Sequence, residues 1–197
     1  MSIVVEHEKR KKEILDKALD VFMEEGFEDA TFQKISDRCG ITRTTLYVYF
    51  KNKKEIFNYS IKQLLTKVEV NIRQICADTT LDSTTKLTKV LLEIMERLTE
   101  NRRLLFIVLE YLLYISRTDS DPDVRVRRRT IRLRHILSSL IIEGINRGEL
   151  APINGKMAFN YLYSFIEASI FRLVVLQQKS VEDLRPAVIE AVMRLKA

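Results

Sequence analysis

The chain has 197 residues, 46% hydrophobic and 30% charged, with a net charge of +6 and a pI near 9.3. That length suits a small module plus a larger core, and the basic balance agrees with a nucleic-acid partner. Cys39 and Cys76 are too few for a disulfide framework or zinc site, His7 and His135 lack ligand-spaced neighbours, and neither a phosphate-binding glycine loop nor a nucleophile with its base is present, so no metal, no cofactor and no enzyme are expected.

The first helix carries acids from Glu6 to Asp29 against a basic KRKK start at residues 9–12, so most of it should face away from a polyanion. The basic run itself is either a solvated face or a contact to an adjacent nucleic-acid backbone. Thr31 is a plausible N-cap for a second helix that buries Phe32, Ile35 and Ser36 and ends at Cys39 and Gly40, where glycine accepts a positive φ cheaply. Ile41 returns an apolar anchor, Thr42 is again an N-cap, and Leu46 points inward. Arg43, Thr44, Thr45 and Tyr47 are then left near the exposed start of a short third helix.

These side chains suit DNA. Arg43 pairs with guanine or a phosphate, threonines with phosphate oxygens and thymine methyls, and a helix N-terminus favours an anion. Between Thr31 and Lys54 the cations Lys34, Arg38, Arg43, Lys51, Lys53 and Lys54 face the single acid Asp37, a footprint that attracts a polyanion. The design is that of a helix-turn-helix whose second helix enters the major groove. Phe50 reads as core; Tyr47 and Tyr49 read as either core or contact.

The residues from Ile14 to Phe57 resemble the N-terminal domain of TetR-family transcriptional regulators: an amphipathic first helix, Gly26 and Phe27, a threonine before the second helix, then Thr45, Leu46, Tyr47, Tyr49 and Phe50 followed by Lys51, Asn52, Lys53 and Glu55. The resemblance implies an all-α protein of about nine helices, with a helix-turn-helix DNA-binding domain over 1–52 and a helical effector-binding and dimerisation domain over 53–197. It also implies that Gln33, Arg43 and Thr44 face base edges of a double-stranded operator, while Thr31, Thr45, Tyr47, Tyr49 and Lys53 hold phosphates, with Thr42 in the same DNA-facing set. Phe32 stands where the family often has a small or polar residue, and Thr44 where glycine, alanine or proline is common, so no operator sequence carries over.

Asn52 with Glu55 resembles a capping box, opening a long helix whose stripe runs Ile56, Phe57, Ser60, Ile61, Leu64, Val68, Ile72 and Ile75. A further stripe follows Asp82 and Ser83, with Leu87, Val90, Leu91, Ile94, Met95 and Leu98. From Asn101 to Ile115 the sequence is apolar nearly all round and is expected at the centre of the second domain. It is too short for a membrane span and is broken by Glu110, so a cytoplasmic protein with no membrane contact is expected. Asp121 and Pro122 signal the start of a helix ending near Gly148. It carries Arg125, Arg127, Arg128, Arg129, Arg132 and Arg134, read either as a solvated face or as an attractor of an anion.

Two apolar faces on the run from Met157 to Leu176, and a surplus on the last helix, suit either a two-fold four-helix contact, the dimer mode that the resemblance implies, or a fully buried core helix. The expected homodimer interface contains Phe165, Ser169, Leu173, Val188 and Val192. A dimer would place two recognition helices about 34 Å apart, enough to read a palindromic operator. Isolated polar or aromatic groups on the apolar helices, Met95, Phe106, Glu110, Tyr111, Tyr114, Ser138, Asn160, Tyr163 and Glu167, are candidates to line a pocket for a small, largely apolar effector. The reading is a ligand-responsive transcriptional regulator, most economically a repressor. The alternative is a DNA-binding regulator whose C-terminal domain is structural or binds a partner protein.

Overall fold

The computed structural model describes residues 3–118 and 124–197, with side chains except those of residues 3, 4, 63–65, 67, 114–118 and 124–132. Among these residues it is all-helical: α1 (Ile3–Asp29), α2 (Phe32–Cys39), α3 (Arg43–Tyr49), α4 (Lys53–Ala77), α5 (Ser83–Glu100), α6 (Arg102–Thr118), α7 (Val124–Asn146), α8 (Gly155–Val174), a 3-10 turn at Glu182–Leu184 and α9 (Arg185–Met193). The expected start signal at Asp121 and Pro122, and most of the arginine run, lie outside the described residues or side chains.

Helix ends follow local chemistry. The hydroxyl of Thr31 accepts from the Lys34 amide, that of Thr42 from the Thr45 amide, and the Asp82 carboxylate from the Thr85 amide. Gly40 (φ 67°) closes α2 in the left-handed conformation, its amide donating to the Asp37 carbonyl. At the start of α4 the Asn52 side chain accepts from the Glu55 amide at 2.9 Å, but the Glu55 carboxylate reaches back to the amide of Lys51, one residue beyond a standard capping box.

The chain divides into two compact units. The first comprises Met1–Leu65 and Arg103–Arg117. Its core joins Ile14, Leu15, Ala18, Phe22 and Phe27 of α1 to Ile35 of α2, Leu46 of α3, Ile56, Phe57 and Ile61 of α4, and Leu104, Ile107 and Tyr111 of α6. The rings of Phe27, Phe57 and Tyr111 meet at centroid distances of 4.5 to 5.0 Å. Here the structure departs from expectation: α6 contributes to the first core, not the centre of the second. Among its described side chains, Phe106 and Leu113 are exposed. Phe50 is buried, as core.

The second unit comprises Thr66–Arg102 and Thr118–Ala197, and its centre is α5, which packs on α7, α8 and α9. Leu87, Val90, Leu91, Ile94 and Met95 are buried on α5, as are Leu137, Leu140 and Ile141 on α7, Phe159, Leu162, Ile166 and Leu173 on α8, and Val188, Ala191 and Val192 on α9, the helices that pack on it. This corrects the expected dimer surface. Ser169, Leu173, Val188 and Val192 are already covered within the single chain, and of the five only Phe165 is partly exposed. The apolar face left uncovered runs through Met157, Tyr161, Phe171 and Val175 of α8 and its C-cap, with Ile189 and Met193 of α9. A polar clasp ties α4 to α5: Asn71 and Arg97 both donate to Glu93, at 2.7 and 2.8 Å. Burial pushes the Glu93 carboxyl up, but these donors more than offset it and the net shift is downward.

Gly144 of α7 lies under Leu150 and Ser83: a Cβ there would come within 2.7 Å of the Leu150 side chain and 2.8 Å of the Ser83 Cβ. Gly144→Ala should therefore destabilise the protein by about 1–3 kcal/mol through overpacking, against roughly 1 kcal/mol of better helix propensity. A urea melt tests this, and a higher midpoint for the variant would contradict it.

Candidate nucleic-acid interface

α3 is seven residues long and is held by Leu46, fully buried, with Phe50 buried one turn further on at its C-cap. Those two positions fix which side faces outward. Arg43, Thr44, Thr45, Tyr47 and Val48 are exposed, and Tyr49 is half-buried under the ring of His7, 4.7 Å away.

The outward side chains are organised by one another. Tyr47 packs on Phe32 of α2 at a ring distance of 4.7 Å, and Arg43 lies over the Tyr47 ring with its guanidinium donating to the phenol oxygen at 3.3 Å. The arginine is thus held along the helix before any ligand arrives, which lowers the entropy of ordering it. Phe32, which departs from the family's usual small residue, supplies the platform. The Thr45 hydroxyl shares a 2.8 Å hydrogen bond with Thr42. Thr31 and Gln33 are exposed on α2, with the Gln33 amide donating to Asp37 at 2.7 Å.

Charge is more localised than its distribution along the chain suggests. Lys34 pairs with Glu25 at 2.6 Å and Arg38 with Glu24, so two cations of the footprint are matched by acids of α1. The Arg38 hydrogen bond holds the Glu24 carboxyl below its ordinary range. At exposed positions such pairs add little stability; here they hold α2 against α1 and leave Arg43, Lys51 and Lys54 as cations nearer α3 and the start of α4. Within the KRKK run, Arg10 pairs with Glu13 and Lys11 lies 4.0 Å over the Tyr59 ring.

Lys53 requires a correction. It was expected to hold a phosphate, but its ammonium donates to the main-chain carbonyls of Phe27, Glu28 and Ala30 at 2.8, 2.5 and 2.9 Å and lies 5.0 Å over the Phe27 ring. An ammonium has three donors, and all three have protein acceptors. Lys53 therefore caps the end of α1 from the first residue of α4. Burial pushes its pKa down, with Asp29 and Glu28 acting in the opposite direction. One turn before this end, Gly26 (φ 76°, ψ 164°) departs from helical geometry, and a Cβ there would come 2.9 Å from the Glu110 carboxylate.

The expected effector-pocket residues come from both units, Phe106, Glu110 and Tyr111 from the first and Met95, Ser138, Asn160, Tyr163 and Glu167 from the second. Tyr111 is packed among Phe27 and Phe57, Glu110 lies beside Gly26, Phe106 is exposed, and Met95 is buried in the second core. The Tyr114 side chain lies outside the description. Ser138 and Tyr163 are half-buried, Asn160 and Glu167 exposed. Phe159 stacks on Tyr163 at 5.1 Å and receives Arg134 at 5.2 Å; burial, then the charge of Glu167, pushes the Tyr163 phenol up, so it stays a neutral donor. Val48 was not among the sequence-derived candidates, although α3 leaves it in the open.

Removing the Lys53 ammonium should leave three carbonyls without their charged donor. Lys53→Ala and Lys53→Met should each lower stability by about 1–2 kcal/mol, and the shared loss would assign the effect to the ammonium rather than to the aliphatic stem. Thermal melts check this, and a wild-type midpoint for Lys53→Met would remove the capping role.

Residues 14–59 match the model for bacterial regulatory proteins of the tetR family. Across most of its length the chain is 24% identical, over 179 residues, to the fatty acid metabolism regulator protein of Bacillus subtilis, covering 87% of this chain and 88% of that one. Its fold is similar to that of a TetR transcription regulator from Haloarcula marismortui (TM-score 0.78, 22% identity, 96% and 100% of the two chains). It is also similar to that of the fatty acid degradation regulator FadR from Bacillus halodurans (TM-score 0.74, 19% identity, 93% and 94%). With its helix-turn-helix in the matched segment and a helical architecture similar to those of TetR regulators around it, the chain carries the N-terminal DNA-binding domain of tetR-family transcriptional regulators.

Proposed function

We propose that this regulator is a ligand-responsive repressor that binds a palindromic operator as a homodimer. In this reading residues 1–52 carry the DNA contacts, and residues 53–197 carry dimerisation and effector binding. The observation that carries it is the uncovered apolar face of α8 and α9, where Met157 is 71% exposed and Tyr161, Phe171, Val175, Ile189 and Met193 are exposed beside it. Such a face on one protomer supports a two-fold contact with a second copy. A seven-residue recognition helix also reads too few bases alone.

Thr31, Gln33, Thr42, Arg43, Thr44, Thr45, Tyr47 and Tyr49 form the proposed DNA face, with Arg43 on a base edge or phosphate. The effector is a long, largely apolar molecule of the fatty-acid class. This is supported by the names of two proteins that the chain resembles across most of its length. Ser138, Asn160, Tyr163 and Glu167, with Arg134 over Phe159, supply the few polar groups that would orient such a molecule. Binding would change operator affinity by favouring one of two arrangements of the dimer.

Light scattering at micromolar concentration should give the mass of a dimer, and the double variant Tyr161→Asp, Met193→Asp that of a folded monomer. A dimeric double variant would move the interface elsewhere. On an operator selected from random DNA, Arg43→Ala should lose about 1–3 kcal/mol per half-site. Lys53→Ala should lower affinity with the wild-type salt slope, because no phosphate contact is removed. Fatty acids and their thioesters of increasing chain length should release the labelled operator, with Tyr163→Phe requiring more ligand. Retention of the operator across the whole series would overturn the fatty-acid effector while leaving operator binding intact.

A further inference from the structure

The outward side of α3 contains a residue that the polar account of this surface does not use. Val48 is 70% exposed, a β-branched aliphatic side chain on a face otherwise composed of arginine, threonines and a tyrosine. It stands one helical turn after Thr44, and positions four apart share a face, just as the inward positions 46 and 50 do on the opposite side. Its neighbours are engaged within the protein: Arg43 with Tyr47, Tyr47 with Phe32, and Thr45 with Thr42. Thr44 and Val48 thus form an outward strip between Arg43 and the end of the helix.

We infer that Val48 reads the C5-methyl group of a thymine in the major groove and is a specificity-determining residue of the operator complex. The inference rests on α3 being the helix that enters the groove. Of the groups displayed on major-groove base edges, the thymine methyl is the apolar one; the others are hydrogen-bond donors and acceptors. Valine has no group to satisfy a cytosine amine or a guanine O6, so burying it against either would desolvate a polar atom without replacing its hydrogen bond, whereas against the methyl it removes apolar surface from water on both sides. The side chain therefore discriminates by attraction to one base and by an unpaired polar group on the others. Valine is also stiff at χ1, so little rotamer freedom is lost when it is placed.

The test uses the full-length protein and DNA selected from a random library, with each thymine of the selected half-site replaced in turn by deoxyuridine, which removes only the methyl. At one thymine the wild type should lose about four-fold in affinity per half-site, the effect of one methyl leaving an apolar contact. Val48→Ala should melt as the wild type does, select any base at that position, and be indifferent to the uridine there while keeping its response elsewhere. A uridine profile identical in Val48→Ala and the wild type, together with lost sequence preference in Arg43→Ala, overturns the valine assignment alone. An unaltered selection in Arg43→Ala as well overturns the placement of α3 in the groove and the inference with it.

Discussion

The first unit depends on how one helix ends. α1 ends at Asp29 and leaves the carbonyls of Phe27, Glu28 and Ala30 without helical donors. A lysine at the first position of α4 supplies all three hydrogen bonds from one charge. The end of α1 and the beginning of α4 are thereby fixed to each other, and residues 31–52, which hold the whole helix-turn-helix, become an excursion between two anchored points. The ion pairs of Glu24 and Glu25 with Arg38 and Lys34 then set α2 against α1, and Leu46 and Phe50 set α3 against both.

Within that frame, the inward and outward positions of α3 follow from each other. Because Leu46 and Phe50 occupy the core, Arg43, Thr44, Tyr47 and Val48 have no inward alternative, and their exposure does not depend on their own chemistry. Phe32 has the corresponding task on α2, where its ring supports Tyr47, which in turn supports Arg43. Preorganisation of the arginine is therefore a property of three residues on two helices rather than of a single contact.

The features legible in the sequence are those whose cause lies within four residues. Thr31, Thr42, Asp82 and Gly40 each act on a neighbouring turn, so residue type and spacing were enough to place the helix ends. Lys53 was not legible as a cap because its acceptors lie 23 to 26 residues earlier. Periodicity reported that α6 is apolar on most sides but not which core takes which side, and Leu104, Ile107 and Tyr111 turned out to complete the first. On α8 two apolar faces are equivalent as pattern; only the position of α5 decides that Leu162, Ile166 and Leu173 go inward and that Met157 and Tyr161 stay out. Val48 escaped for the same reason in reverse, since an aliphatic residue beside Leu46 reads as core until the helix is given its rotation.

The assignment of Arg103–Arg117 to the same unit as residues 1–65 also bears on synthesis. A ribosome that has released the helix-turn-helix has not yet released Leu104, Ile107 and Tyr111, and until it does, Phe27 and Phe57 lack the aromatic partner that closes their core. The nascent chain must carry that apolar surface uncovered while α4 and α5 are made, so the DNA-reading unit is completed only after more than half of the polypeptide has emerged. A fragment cut after α4 would carry the same open surface permanently, which makes the helix-turn-helix of this chain poorly suited to life as a detached module.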